Sequence, residues 1–226
     1  MAAINGHNRH VKGSGYERTI AKILTKWTGV SYSRTMASGA AGSEHGSDAR
    51  LIGDIFSPIG YPDPFNYECK NHEDVTLKNI VWGTGELKQF MEQVITDAHR
   101  ADTIPVLIMH INREADYVML PYSNRLYNSL YNKSKVTFRT YSTYQDKRLE
   151  QITGVDWLVT TMDDLTNLNC TEVFNTYSAI QREMGAYWWE HVTSTASKGE
   201  DEWNAVSEQT SNIIEMNLEG NNDETD

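Results

Sequence analysis

The chain has 226 residues, the apolar and aromatic content of a globular protein, and a net charge of −11 from 31 acidic and 20 basic residues. It has no apolar run of about eighteen residues and no hydrophobic N-terminal core, which excludes a helical membrane span and a signal peptide and leads us to expect a soluble intracellular protein. Cys69 and Cys170 have no His or Cys at zinc-ligand spacing, which excludes a disulfide framework or a zinc finger, and free thiols are expected.

The negative charge is unevenly spread. Nine acids against Lys198 lie between Ala196 and Asp226, whereas the first fifty residues carry Arg9, Lys12, Arg18, Lys22, Lys26, Arg34 and Arg50 against Glu17, Glu44 and Asp48. A polyanion meets local charge, so the acidic total does not exclude DNA as a partner. A basic N-terminus is also compatible with a plain solvated surface.

Residues 1 to 11 are polar and expected to be loose. From Ser14 to Trp27 the apolar positions Tyr16, Ile20, Ile23, Leu24 and Trp27 recur at helical spacing and predict an amphipathic first helix. Its opening Ser14-Gly15-Tyr16-Glu17 fits a capping box, while Glu17, at the edge of the apolar stripe, is equally placed to look into a site. Val30 to Ser38 reads as a strand. The polar, Gly-rich stretch from Gly39 to Ser47 reads as a loop, and next to a metal site as a mobile flap.

Residues 51 to 58 and 65 to 71 read as two strands of a hairpin around the turn-rich Ile59-Gly60-Tyr61-Pro62-Asp63-Pro64. With the turn centred on Tyr61 and no bulge, Asp54 lies opposite Glu68, and strand alternation sends Lys70 to the face of Glu68 and Cys69 to the other. Two carboxylates side by side repel, and a divalent cation relieves them. Mg²⁺ takes a few carboxylates plus waters and phosphate oxygens and lowers the pKa of a bound water, while an ammonium alongside stabilises charge on an attacked phosphate. The pattern points to phosphodiester hydrolysis; the plain alternative is a solvent-facing hairpin with ordinary acids and a lysine.

Asn71 to Gly83 reads as a connector. A helix is expected from Thr84 or Gly85 to about Arg100, with Leu87, Phe90, Met91, Val94, Ile95 and Ala98 as its apolar side and Gln89 and Gln93 one turn apart, placed either for a phosphate or metal-bound water or for plain exposure. Ile104 to Ile111 is a nearly continuous apolar run and reads as a strand buried on both faces. Strands are expected at Ala115 to Pro121, Lys135 to Tyr141 and Val155 to Thr161, with helices at Ser123 to Tyr131 and Glu172 to His191, the second ending in Trp188 and Trp189, whose expected role is core packing. The seven histidines form no ligand pair, and no phosphate-binding Gly loop or nucleophile elbow is present. His72 shares the Lys70 face and reads as a surface histidine or a phosphate contact.

A helix with Glu17, a hairpin with Asp54 and Glu68-Cys69-Lys70, a helix with Gln89 and Gln93 and then a buried strand resembles the PD-(D/E)XK nuclease superfamily. Lys12-Gly13-Ser14-Gly15-Tyr16-Glu17-Arg18, followed by Arg34 and Ser38-Gly39, resembles archaeal-type Holliday-junction resolvases, as does a Gln-bearing helix leading into Ile104-Pro105-Val106-Leu107. The resemblance covers residues 12 to 121. It implies an α/β fold with a restriction-endonuclease-like core at 12–121 and a mixed central sheet flanked by helices; the elements read beyond it are expected to form an α/β extension at 122–195 packed on that core, and the charge of 196–226 an acidic, disordered tail. It further implies that Glu17, Asp54 and Glu68 hold Mg²⁺, with Mn²⁺ as a substitute, that the Cys69 backbone carbonyl is a further ligand, and that Lys70 assists the attacking water. Arg34 and Ser38 match positions that the resolvases place near DNA; Lys12, Arg18, Gln89 and Gln93 complete the expected DNA-contacting set. A homodimer is implied because such a substrate needs paired nicks.

The sequence departs from that pattern in carrying Gly53 where the signature has Pro, a longer loop before it, and the extra residues 122 to 226. The literal Pro62-Asp63 is not the match, because Asp63 belongs to the turn and is too near Glu68 to face it. The expected function is a metal-dependent DNA endonuclease acting on branched DNA. The alternatives are a restriction-like or repair nuclease on linear duplex, and an inactive nuclease-like DNA-binding or assembly protein. The acidic tail is expected either to compete with DNA or bind a protein partner, or simply to solubilise the chain.

Overall fold

The run Ile-Pro-Val-Leu-Ile-Met at residues 104–109 has no polar side chain to turn to solvent, and all six residues are buried at the centre of the protein. The computed structural model describes residues 3–35, 48–72, 75–146 and 151–192. Its elements are α1 (Ala3–Thr28), β1 (Ser33–Arg34), a 3-10 turn (Ala49–Leu51), β2 (Ile55–Phe56), β3 (Phe65–Asn71), α2 (Leu77–Trp82), α3 (Leu87–Ala101), β4 (Ile104–His110), β5 (Asp116–Pro121), α4 (Asn124–Tyr131), β6 (Thr137–Asp146), β7 (Gln151–Thr161), α5 (Met162–Thr166), α6 (Cys170–Met184) and β8 (Glu190–Val192).

The strands form one mixed sheet in the order β1-β2-β3-β4-β5-β7-β6, with β8 also paired to β7. Only β3 and β4 run parallel, in the register Glu68↔Leu107 and Lys70↔Met109; the other pairings are antiparallel. A parallel pair needs a long crossover, which α2 and α3 supply. The apolar stripe expected on α3 is the one that packs: Leu87, Met91, Val94, Ile95 and Ala98 are buried and Phe90 is half-buried. Helix α1 buries Tyr16, Ile20 and Leu24. Alternate residues of β3 address the two helices: Lys70 meets Gln93 and Phe90 on α3, while Cys69 lies by Tyr16 on α1. This is a mixed α/β sheet flanked by helices, as expected for a restriction-endonuclease-like core.

Several local expectations are corrected. Helix α1 runs from Ala3, not Ser14, so residues 3–11 of the stretch expected to be loose are helical, Ser14 is buried in mid-helix and no capping box forms there. A capping box does form at Thr76 and Asn79, opening α2 inside the stretch expected to be a connector. The first hairpin strand is only Ile55–Phe56, because a 3-10 turn takes Ala49–Leu51 and the positive φ of Gly53 breaks the extended run before Asp54. The last helix stops at Met184, where Gly185 has a φ of +89°, and the chain then returns as β8. Trp188 and Trp189 therefore follow the helix, and Trp189 is buried in the core. Ser38, the Gly39 to Ser47 loop and the acidic tail lie outside the described residues. Among the described residues, no helix is long and apolar enough to cross a membrane, and Cys69 and Cys170 are free.

Candidate active site

The turn arithmetic places the hairpin as expected up to one residue. Ile55 pairs with Tyr67, the register that a turn centred on Tyr61 dictates. At Asp54 the ladder bulges: its N–H also donates to the Tyr67 carbonyl at 2.8 Å, so two successive residues meet one. Gly53 makes this possible. Its φ is +99°, which no proline can adopt, and a Cβ there would lie 2.9 Å from Asn66 Oδ1 and 3.0 Å from the Tyr67 carbonyl. Gly53 in place of the signature's Pro is thus required by the backbone, and it aims Asp54 inward. Asp54 is 6% exposed, and its Oδ2 accepts the Cys69 N–H at 2.8 Å.

Glu68 is 2% exposed, on the next strand. Lys70 Nζ sits 2.5 Å from Glu68 Oε1, donates to Gln93 Oε1 at 2.8 Å and lies 5.0 Å from the centroid of Phe90. The ammonium is therefore held by three groups from β3 and α3. Glu17 on α1 accepts Arg34 Nε at 2.7 Å, so β1 is tied to the helix, and its charge reaches Asp54.

The electrostatics follow from this crowding. Burial first, then Glu17 and Asp97, push the Asp54 carboxyl up to about 6 against the pull of the Cys69 N–H and Lys70. Burial and then Asp54 push Glu68 up to about 7, with Lys70 opposing. Asp97, raised by burial, adds its charge to both and is itself bridged to Arg100 at 3.2 Å. With Glu17 matched by Arg34 and Asp97 by Arg100, Lys70 is, among the described residues, left as a single cation against two buried carboxylates. That donor set, hard oxygens with one positive charge too few, fits a small divalent cation. Among the described residues no three His, Cys, Asp or Glu side chains are arranged as a ready ligand set.

Asp54, Glu68, Lys70 and Gln93 thus come together, with Cys69 contributing its N–H, while Glu17 is engaged by Arg34 and reaches Asp54 only through its charge. Gln89 is exposed on α3 and Arg18 exposed on α1. Lys12 lies in α1 and Ser38 outside the described residues. His72 is bridged to Glu86 at 2.8 Å. Asp63 is kept apart: it accepts Tyr32 Oη at 2.5 Å, Tyr67 Oη at 3.1 Å and the Phe65 N–H at 3.0 Å. Asp97 was missed by the sequence reading. It lies one turn after Gln93 on α3, a position that by itself does not set it apart from any other helical acid.

The family described as phage putative PDDEXK endonuclease matches residues 8–175, a span that runs past β5 through β7 and into α6. The chain is 27% identical over 153 residues to "Protein D14" of Escherichia phage T5, covering 65% of this chain and 89% of that protein. No solved structure matches it.

Proposed function

We propose that this chain, which belongs to the phage PD-(D/E)XK endonuclease family, is a divalent-metal-dependent DNA endonuclease that prefers branched DNA. The observation that carries the reading is the buried pair Asp54 and Glu68 with Lys70 pinned between Glu68 and Gln93. Asp54 and Glu68 would hold Mg²⁺ or Mn²⁺, with the Cys69 carbonyl and Glu17 alongside. When bound, such an ion supplies a water of lowered pKa and neutralises charge on the phosphate under attack.

The chain's own groups do the rest. Lys70, fixed by two oxygen acceptors, orients the attacking water and meets the charge that grows on the phosphate. The Cys69 N–H holds Asp54 in one rotamer, and Arg34 holds Glu17 next to it. Arg18 and Gln89 are exposed and available to phosphates flanking the site, with Lys12 and Ser38 as further DNA contacts. The preference for branched DNA is supported by the likeness of Lys12 to Arg18, Arg34 and Ser38-Gly39 to junction resolvases. Paired nicks on such a substrate require two sites, hence a homodimer.

The test is cleavage of a labelled four-way junction and of a linear duplex of the same sequence, in Mg²⁺ and in EDTA. The reading expects Mg²⁺-dependent nicking that favours the junction and is lost in Lys70→Ala. Equal cutting of both substrates would assign the enzyme to linear duplex instead, and no metal-dependent cutting of either would overturn the nuclease reading.

A further inference from the structure

From Tyr117 to Gln145 the chain carries no Asp or Glu, although the protein as a whole has a net charge of −11. The same stretch interleaves Arg125, Lys133, Lys135 and Arg139 with aromatic residues. It folds as β5, α4 and most of β6, at the edge of the sheet away from Asp54 and Glu68.

The helical period lays out its surface. Leu126 and Leu130 turn into the core at 3% and 1% exposure, which leaves Tyr127 and Tyr131, also one turn apart, on an outer side of α4. The Tyr127 ring is 5.3 Å from that of Tyr131 and 5.7 Å from that of Tyr122, so three rings stand in a row. The row opens to solvent: Tyr131 is 59% exposed, and Tyr122 and Tyr127 are half-buried. At its other end the Arg139 guanidinium lies 4.6 Å from the Tyr122 ring centroid, fixed there by donating from Nε and Nη2 to Asp156 at 2.9 and 2.8 Å. That ion pair is neutral overall. Lys133 and Lys135, both exposed, follow Tyr131 closely in the chain, with Asp164 taken up by the Lys135 and Val136 N–H groups, and Arg125 is exposed on another side of α4.

We propose that this row is a stacking platform for the unpaired bases of a DNA strand. The inference deepens the nuclease reading and rests on it for the nature of the strand. Solvent-facing rings with cations around them suit a single strand, whose bases offer π faces to the rings and whose phosphates meet the lysines and arginines. A blunt duplex keeps its base faces stacked on one another and has nothing to offer the row. A partner protein's apolar surface would have no use for the cations. Four strand steps separate β3 from β6, roughly 19 Å at the usual spacing. A substrate that is duplex at Asp54 and unpaired at Tyr131 is therefore one with a fork, a flap or a single-stranded tail.

The experiment is fluorescence anisotropy of the full chain with a labelled oligothymidylate and with a blunt duplex, in EDTA so that nothing is cut. Wild type is compared with Tyr131→Ala and Tyr131→Phe, each checked by thermal melting. Tyr131→Ala is expected to weaken single-strand binding about tenfold, Tyr131→Phe to bind as wild type does, and the duplex to be bound equally by all three. Unchanged single-strand affinity in a folded Tyr131→Ala would overturn the platform. If that variant instead lost self-association in sedimentation, with single-strand affinity intact, the row would be a contact between copies of the chain and the proposal would also fall. A protein that binds strands through Tyr131 but cuts neither substrate would keep the platform and remove the nuclease reading.

Discussion

Asp54 and Asp63 lie at opposite ends of one short hairpin segment, the first buried and the second half-buried, and both are pushed up to about 6 by desolvation, yet their surroundings differ. Asp63 has two tyrosine hydroxyls and a backbone N–H donating to it. The fold has answered its charge with hydrogen bonds. Asp54 receives one backbone N–H and feels the repulsion of Glu17 and Asp97, and it in turn raises Glu68. A carboxylate satisfied from within holds a loop in place, whereas a pair left short of positive charge has the chemistry that a cation would answer. The literal Pro62-Asp63 is thus tied into the fold, and the proposed chemistry is assigned to the acid after Gly53.

The widest separation is expected in activity. Asp54→Asn should lower metal-dependent DNA cleavage by at least about a thousandfold, whereas Asp63→Asn, which can still accept both hydroxyls, should stay within about threefold per folded molecule; initial rates at saturating Mg²⁺ measure both. Stability should separate them the other way. Asp63→Ala strands two buried hydroxyls and should cost about 1–3 kcal/mol in urea unfolding, while Asp54→Asn relieves repulsion and should raise the melting temperature of the metal-free protein at neutral pH.

The pH dependence carries a further distinction. Asp54, Asp63 and Glu68 have folded-state values above their ordinary ones, at about 6, 6 and 7. The folded protein therefore binds more protons than the unfolded chain between about pH 4 and 7, so metal-free stability is highest at the acid end of that window and falls as pH rises through it. Excess Mg²⁺ should offset this fall in Asp63→Asn but not in Asp54→Asn, read as melting temperature against pH. The smallest effect is expected at Arg34. Arg34→Ala leaves Glu17 unpaired near Asp54 and should slow cleavage about tenfold without abolishing it.

What could be read in advance, and what could not, divides along physical lines. The Ile55↔Tyr67 register followed from turn residues, and Glu68 and Lys70 share a face because strand period is two. The bulge at Asp54 did not follow, since it depends on the positive φ of Gly53, which a glycine permits without announcing. The buried stripes of α3 and β4 were legible because many residues repeat one period. The early start of α1 was not, because residues 3–13 are polar and offer no stripe. Asp97 was indistinguishable from any acid on a helix until Asp54 and Glu68 lay beside it. The tyrosine row was visible as residue types, but only packing of Leu126 and Leu130 shows which side faces outward.

The most direct test of the Asp54–Glu68 cation site is calorimetric titration of Mg²⁺ or Mn²⁺ into wild type, Asp54→Asn and Asp63→Asn, without DNA. The account predicts divalent binding by wild type and Asp63→Asn and its loss in Asp54→Asn. Equal binding by Asp54→Asn, or binding lost only in Asp63→Asn, would contradict it.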